Sequence, residues 1–432
     1  MIPKHLLTLG ALQKELASEN LSLREIVESF IDLQNSKGDP NKCWQTRLTE
    51  APPYSNRGRV QVPLDGLMIG VKDNIATSDF PTKMGTDFWE GDKGGFDSRV
   101  VATLKRRGAV IVGKTKCSEF AVHKRTTTLN PRYPECEPGT SSSGSAAAVA
   151  SGEVSIALGT QTAGSIIKPS SYCGVIGFKP SFGEIPRTGV LKTTELFDTV
   201  GFFGRRLEEI NAAYLATRVE GNNYPIHSRE RSRFAKVPYS SIEILTGEGI
   251  DSPTAQLAHE LESYAASLAE DLGLPLKIKT FGEELFKIRE SFDLIYAKDL
   301  AYFLADHKIE DKVSGELLSY MDYGNSFTSG HYNQAKDLIK KWRLEYQYLP
   351  LNPLYVSLAT SSSAPLVGKP DLIDANLLLT SLGFPQLSLP IIRDDCRKIV
   401  GVSLASRKFT DESLLSLAKT IFPGDALDVT SY

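Results

Sequence analysis

The chain reads as an α/β fold with its chemistry at the turns, and two observations carry that reading. From about residue 60 to 210, short apolar runs alternate with Gly- and Ser-containing turns and short helical segments. Repeated strand–turn–helix units of this kind build a sheet whose functional loops lie at the strand ends. The composition, 41% hydrophobic and 23% charged over 432 residues, is that of a protein able to bury a substantial core.

The elements follow in order. Leu9, Leu12 and Leu16 share one helical face, and Ser22 with Glu25 forms a capping box ahead of Ile26, Val27, Phe30 and Ile31. These place N-terminal helices over about 8–35. Leu67 to Val71 reads as a buried strand ending at Lys72, and Arg99 to Arg107 as a helix stopped by Gly108. Ala109 to Val112 is the next strand. Ala146 to Ala150 is a helix of small residues suited to close packing, and Val154 to Leu158 is a strand leading into a second Gly-containing turn.

From about 215 to 350 glycine thins and helical periodicity dominates, as at Leu257, Leu261, Tyr264 and Leu268. The stretch 351–432 returns to strands and helices, including Leu354 to Leu358 and Pro385 to Pro390. No internal repeat or low-complexity linker interrupts the text, so a single domain over 1–432 with a helical elaboration in its middle is expected.

The bulk numbers exclude several function classes. With 49 basic and 52 acidic residues the net charge is −3, which argues against a nucleic-acid partner. No run of about 18 apolar residues suggests a membrane span, and Met1 to Leu7 lacks the features of a secretion signal. A cytoplasmic protein is expected. Cys43, Cys117, Cys136, Cys173 and Cys396 form no CxxC pair and the histidines no HExxH, so reduced thiols, no metal and no cofactor are expected. The cluster Arg229 to Arg233 reads as a solvated face.

The candidate chemistry lies in three turns. Lys72 stands in Gly70-Val71-Lys72-Asp73-Asn74, Ser141 in Gly139-Thr140-Ser141-Ser142-Ser143-Gly144-Ser145, and Ser165 closes Gly159-Thr160-Gln161-Thr162-Ala163-Gly164-Ser165. A serine hydroxyl attacks only when a neighbour takes its proton. A lysine can do so if burial keeps it neutral, and Lys72 follows a run of apolar or Gly positions where such a residue is held. The competing reading leaves the Lys72 head in water. Small residues before Ser165 let backbone N–H groups converge on one point, as an oxyanion hole requires. Ile166 and Ile167 follow Ser165, so the GxSxG elbow of α/β-hydrolases is absent.

The three segments together resemble the amidase signature family. Pro138 to Ala148 is similar to its Gly/Ser-rich signature, Gly159 to Pro169 to its nucleophile turn, and Gly70 to Asn74 to its lysine turn. Tyr172 to Ser181, Phe197 to Gly201 and Leu382 to Pro390 are similar to further family text.

The resemblance implies one amidase-signature domain, a central mixed twisted β-sheet covered by helices on both faces. It implies an amidohydrolase cutting a carboxylic amide of a small molecule, with Ser165 as nucleophile, Lys72 as base, and Ser141 as bridging serine after a cis peptide bond. The backbone N–H groups of Thr162, Ala163, Gly164 and Ser165 match the oxyanion hole, with Ser142 in support. A homodimer is compatible with it. Thr140 replaces a common glycine, and Gln161 replaces the aspartate of many members, among them the A-type subunits of tRNA-dependent amidotransferases.

Two other functions stand beside this one: the A-type subunit of a glutamine-dependent amidotransferase acting with partner proteins, and a catalytically dead scaffold. The acyl pocket is expected from segments 117–136, 290–345 and 357–366. Tyr296, Tyr302, Tyr320, Tyr323, Tyr332 and Tyr346 are candidate lining residues, each against a core or surface role. His123, Lys124 and Arg125 are candidates for greeting an acidic substrate, against a solvated loop.

Overall fold

Period-two alternation in the central strands decides which side chains face which helical layer. The computed structural model describes residues 2–52, 62–89, 95–122, 125–220, 225–234, 237–247, 250–307, 309–370 and 372–422. Its strands are β1 (Trp44–Arg47), β2 (Met68–Lys72), β3 (Val110–Thr115), β4 (Ile156–Gln161), β5 (Ile176–Lys179) and β6 (Thr199–Gly204). They continue as β7 (Ser241–Gly247), β8 (Leu276–Phe281), β9 (Pro353–Leu358), β10 (Gln386–Arg393) and β11 (Ile399–Ala405). All join one 11-stranded sheet in the order β1-β3-β2-β4-β6-β5-β10-β11-β9-β7-β8. β2 runs parallel to β3 and β4, and β7 runs parallel to β8 and β9. The middle of the sheet is antiparallel, so the sheet is mixed.

On one face Ile69, Val71, Ile156 and Leu158 pack with Val101 and Leu104 of helix Arg99–Arg106 and with Ile210 and Tyr214 of helix Leu207–Thr217. On the other, Met68 and Ala157 meet Ala146, Ala147 and Val149 of helix Ser143–Ala150, backed by Ile26 and Phe30 of helix Leu23–Lys37. Each large side chain buried this way contributes about 1.5–3 kcal/mol. Helix Ser143–Ala150 is buried on every side, which its Ser/Gly/Ala sequence permits. A Cβ at Gly144 would lie 2.5 Å from Cys43 O and Lys116 N, so nothing larger fits there. The capping box at Ser22 and Glu25 is present on helix Leu23–Lys37.

The middle of the chain supplies helices Ala255–Leu272, Glu283–Leu304, Gly315–Asn325 and Ser329–Gln347. Phe292, Ile295, Leu317, Met321, Ile339 and Trp342 form a separate core there, continuous with Leu378 and Leu382 near helix Asn376–Ser381. The 229–233 cluster departs from the expected solvated face. It lies in helix Pro225–Phe234, where Arg229 and Arg233 are exposed but Arg231 is buried and pairs with Glu184 at 2.6 Å. Glu184 is itself fully buried, and it draws this arginine inward.

Candidate active site

Parallel pairing of β2 with β4 brings the end of one strand beside the end of the other, and this sets the site. Lys72, the last residue of β2, is fully buried. Its Nζ lies 2.6 Å from Ser141 Oγ and 2.8 Å from Thr160 Oγ1 on β4. Asn74 Nδ2 donates to the same Thr160 hydroxyl at 3.0 Å. Burial lowers the Lys72 pKa to about 8, partly opposed by Cys117 and Asp198 nearby. A neutral amine carries a lone pair, and over the same 2.6 Å contact the Ser141 hydroxyl can then donate to it.

Ser141 reaches Lys72 through an unusual backbone. Gly139 and Ser141 have φ of 93° and 50°, both in the left-handed region, and helix Ser143–Ala150 begins directly after. The cis bond implied by the resemblance is not found: every peptide bond among the described residues is trans. Left-handed turns at 139 and 141 redirect the chain instead. Ser142 is buried, and its Oγ donates to Thr160 O at 3.2 Å, so it ties the signature loop to β4.

Ser165 sits in the turn between β4 and helix Ile167–Cys173, half-buried. Its hydroxyl is not hydrogen-bonded to Ser141; the two serines line one small recess together with Thr162, Ala163 and Tyr296. The N–H groups of Ala163, Gly164 and Ser165 have no protein acceptor among the described residues. They are available to a ligand oxygen.

The shape of this turn is fixed by Gln161 at the end of β4. Its Oε1 accepts from Ile166 N at 2.8 Å and Ile167 N at 3.0 Å, capping the helix that follows Ser165. Its Nε2 donates to Thr380 Oγ1 at 2.9 Å and Gln386 Oε1 at 3.0 Å. Thr380 in turn donates to Ala163 O at 2.7 Å. An aspartate could accept the two N–H groups but has nothing to donate to Gln386. Thr162 is held separately, its hydroxyl donating to Asp198 Oδ1 at 2.7 Å. Asp198 also takes the backbone N–H groups of Thr193 and Thr194.

A cavity of about 460 Å³ opens above Ser165, within the range of small-molecule sites. Helix Glu283–Leu304 forms one wall with Leu285, Phe286, Arg289, Phe292, Asp293 and Tyr296, spaced on one helical face. Tyr320 and Tyr323 add a second side. Opposite stands Lys168, paired with Asp374 at 3.4 Å. Burial raises the Asp293 carboxyl pKa, and Arg289 one turn earlier opposes the shift.

Of the expected lining tyrosines, Tyr296, Tyr320 and Tyr323 face the cavity. Tyr302 is largely exposed, Tyr332 donates to Asp299, and Tyr346 packs near Phe281 and Phe384. Segment 372–378 lines the cavity in place of the expected 357–366, and among the described residues of 117–136 Ala121 and Val122 reach the recess. His123 and Lys124 lie outside the described residues, and Arg125 pairs with Glu137 at 3.0 Å.

Asp39, Cys43 and Glu153 bring possible metal-ligand atoms together elsewhere. Their carboxylates already serve the fold: Asp39 accepts from Cys43 N and Trp44 N, and Glu153 from Gln34, Trp44 and Ser151.

The family model for Amidase matches residues 25–241, half of the chain. The chain belongs to the amidase family. Within it, the mitochondrial A-type subunit of the glutamyl-tRNA(Gln) amidotransferase of Ajellomyces capsulatus is 34% identical over 50% of this chain and 46% of its own length. The chain spans about half the length of several such curated relatives that it matches. A longer match, to the chloroplastic/mitochondrial counterpart from Arabidopsis thaliana, is 26% identical over 94% of this chain and 87% of that protein. Among solved structures, a bacterial aryl acylamidase of the amidase signature family superposes with a TM-score of 0.82 at 18% identity, covering 99% of both chains. That last likeness shows the amidase fold. No helix among the described residues is long and apolar enough to cross a membrane.

Proposed function

We propose that this amidase cleaves a carboxylic amide through an acyl-enzyme on Ser165. The observation that carries the reading is the buried Lys72, held 2.6 Å from Ser141 and lowered to a pKa of about 8. In the reaction, Ser165 Oγ attacks the amide carbon while its proton passes through Ser141 to Lys72. The N–H groups of Thr162, Ala163, Gly164 and Ser165 receive the charge on the carbonyl oxygen. The C–N bond then breaks, the proton returns to the leaving nitrogen, and water repeats the sequence to free the acid.

Two settings for this chemistry remain, a free amidohydrolase and the A-type subunit of a glutamine-dependent amidotransferase. The names of the curated relatives favour the second. Gln161 and the near-neutral overall charge are the features that favour the first. In the second setting, ammonia freed at Ser165 passes to a partner protein that the chain meets through another surface. Both readings keep the three site residues in the same roles.

Steady-state ammonia release by the isolated chain tests the pair, using a panel of small amides that includes glutamine. Release from several amides by the chain alone supports the free hydrolase. Release from glutamine only, and only once a second protein is added, assigns it to the complex. A fluorophosphonate should label Ser165; labelling at Cys117 with Ser165 untouched would refute the nucleophile.

A further inference from the structure

The candidate active site lies where the topology of the sheet makes room for a ligand, and that topology recurs elsewhere in the molecule. In open α/β sheets ligands bind outside the carboxyl ends of neighbouring parallel strands whose onward connections diverge. β2 and β4 are such a pair, the chain leaving β2 for β3 on one side and β4 for β5 on the other. β7 and β9 are a second. They run in parallel from Ser241 opposite Pro353 to Ile244 opposite Val356, and the chain leaves β7 for β8 but β9 for β10, on opposite sides. The helices that follow cover opposite faces as well. Leu257 and Leu261 share a core with Val356 and Leu358, whereas Leu378 shares one with Tyr355.

A cavity of about 180 Å³ opens at this second point, between the ends of β7 and β9 and the first turns of helix Ala255–Leu272. It has no lining residue in common with the cavity above Ser165. Segment 372–375 is their boundary: Leu372, Ile373 and Asp374 line the larger cavity and Ala375 the smaller. Residues of the smaller cavity hold that wall in place. Asp251 Oδ2 accepts from Ile373 N at 2.7 Å, Asp251 N donates to Ile373 O at 2.9 Å, and Ser361 Oγ donates to the same oxygen at 2.7 Å.

We propose that this cavity is a second ligand site and that it takes a small organic amine with an apolar body. The site is independent of the chemistry at Ser165. Its walls are largely apolar, with Ile244, Ile250, Pro253, Leu261 and Leu358 among them. The charged lining residues are Asp251 and Glu262, both acidic, and no Lys, Arg or His joins them among the described residues. An anion would meet like charge there, whereas an ammonium group meets its opposite. The second oxygen of the Asp251 carboxylate has no hydrogen-bond partner among the described residues, so it is open to such a donor. Ser357, also in the lining, is 5% exposed, and its hydroxyl likewise lacks a partner among the described residues. A buried polar group of this kind gains from a bound molecule that can satisfy it. One water needs about 10–15 Å³, so about 180 Å³ takes a ligand on the order of ten heavy atoms.

The test titrates 2-phenylethylamine into the full chain by calorimetry, with 2-phenylethanol and 3-phenylpropionate as neutral and anionic counterparts. Amide hydrogen exchange locates the bound amine. The amine should bind saturably and about tenfold or more tightly than the alcohol, the worth of one hydrogen bond to a charged group, and the acid should bind more weakly still. Exchange should slow in segments 244–262 and 372–375. Asp251→Asn keeps an oxygen for Ile373 N and should erase the preference for the amine. Ala258→Leu should weaken amine and alcohol alike by about tenfold by filling the cavity. Asp293→Asn, on the wall of the larger cavity, should leave binding unchanged. Equal affinities for the amine and the alcohol overturn the assigned chemistry. Binding lost in Asp293→Asn but kept in Asp251→Asn, with protection at 285–296 instead, moves the amine to the larger cavity and overturns the site. The absence of saturable binding by any of the three compounds overturns it too.

Discussion

The strand-end turns on one side of Ser165 and the helices on the other hold their polar groups in different ways. On the strand side Lys72, Asn74, Ser141, Ser142, Thr160 and Gln161 are all buried, and each makes named hydrogen bonds. On the helix side Phe286 and Tyr323 are 44% and 48% exposed, and Arg289 and Asp293 face a wet cavity. Buried groups held by hydrogen bonds are rigid because movement leaves a donor or acceptor unpaired. Half-wet groups exchange partners with water at little cost. The strand side is thus suited to chemistry that needs fixed geometry, and the helix side to accommodating different acyl groups.

Removing the nucleophile tests this contrast most severely. Ser165→Ala should lower kcat by about 10⁴-fold or more without a comparable loss of stability. A variant retaining a tenth of the activity would move the chemistry off the strand side. Lys72→Met comes next, with an expected loss of about 10²–10⁴-fold. If Lys72 works as the neutral amine proposed above, kcat/KM in the wild type should fall as pH drops through about 8 and Lys72 becomes charged. A profile flat between pH 6 and 9 would remove the lysine from the proton path.

Gln161→Ala tests rigidity itself, since it strips the partners of two N–H groups, Thr380 and Gln386 at once. It should cost about 1–3 kcal/mol in denaturant unfolding, with kcat falling more than KM rises. The smallest effect belongs to the helix side. Arg289→Ala should leave stability within about 0.5 kcal/mol. Yet it should change relative kcat/KM among charged and neutral acyl groups by about tenfold, the worth of one pocket contact. Equal losses for every acyl group would show that this wall, too, is part of the fixed machinery.

Much of the strand side was legible because the chemistry there is local in sequence. Ser141, Ser142 and Ser165 lie in turns rich in Gly, Ser and Thr, and Lys72 and Gln161 end the strands that lead into turns. Thr160 stands inside one of those motifs, but its hydroxyl reads as an ordinary strand residue until Lys72 is placed against it. Asp198 lies in a recognised stretch without any cue that it would hold Thr162. Thr380, Gln386 and Asp374 reach the site by tertiary packing alone, which periodicity does not encode, whereas Lys168 lies in the Gly159 to Pro169 segment without a cue to its pairing with Asp374. The helix side was partly visible as a set of candidate tyrosines. Which tyrosines face inward depends on how helices Glu283–Leu304 and Gly315–Asn325 meet, and three of the six candidates point elsewhere. The trans backbone at Ser141 shows the opposite failing, a feature carried from the family that this chain's structure does not share.

Gln161 also sets a schedule for the chain's birth. Its partner Gln386 is 225 residues further on, beyond the 25–241 stretch that the family model matches. At roughly 5–20 residues per second, synthesis separates the two by roughly tens of seconds. During that interval the nascent chain already contains Lys72, Ser141 and Ser165 but not Thr380 and Gln386, which hold the amide of Gln161 and the carbonyl of Ala163. A ribosome-bound or prematurely ended chain therefore carries Ser165 without two of the side chains that hold its turn. The activity proposed for Ser165 thus waits until β10 has slotted into the sheet and closed the contact between Gln161 and Gln386.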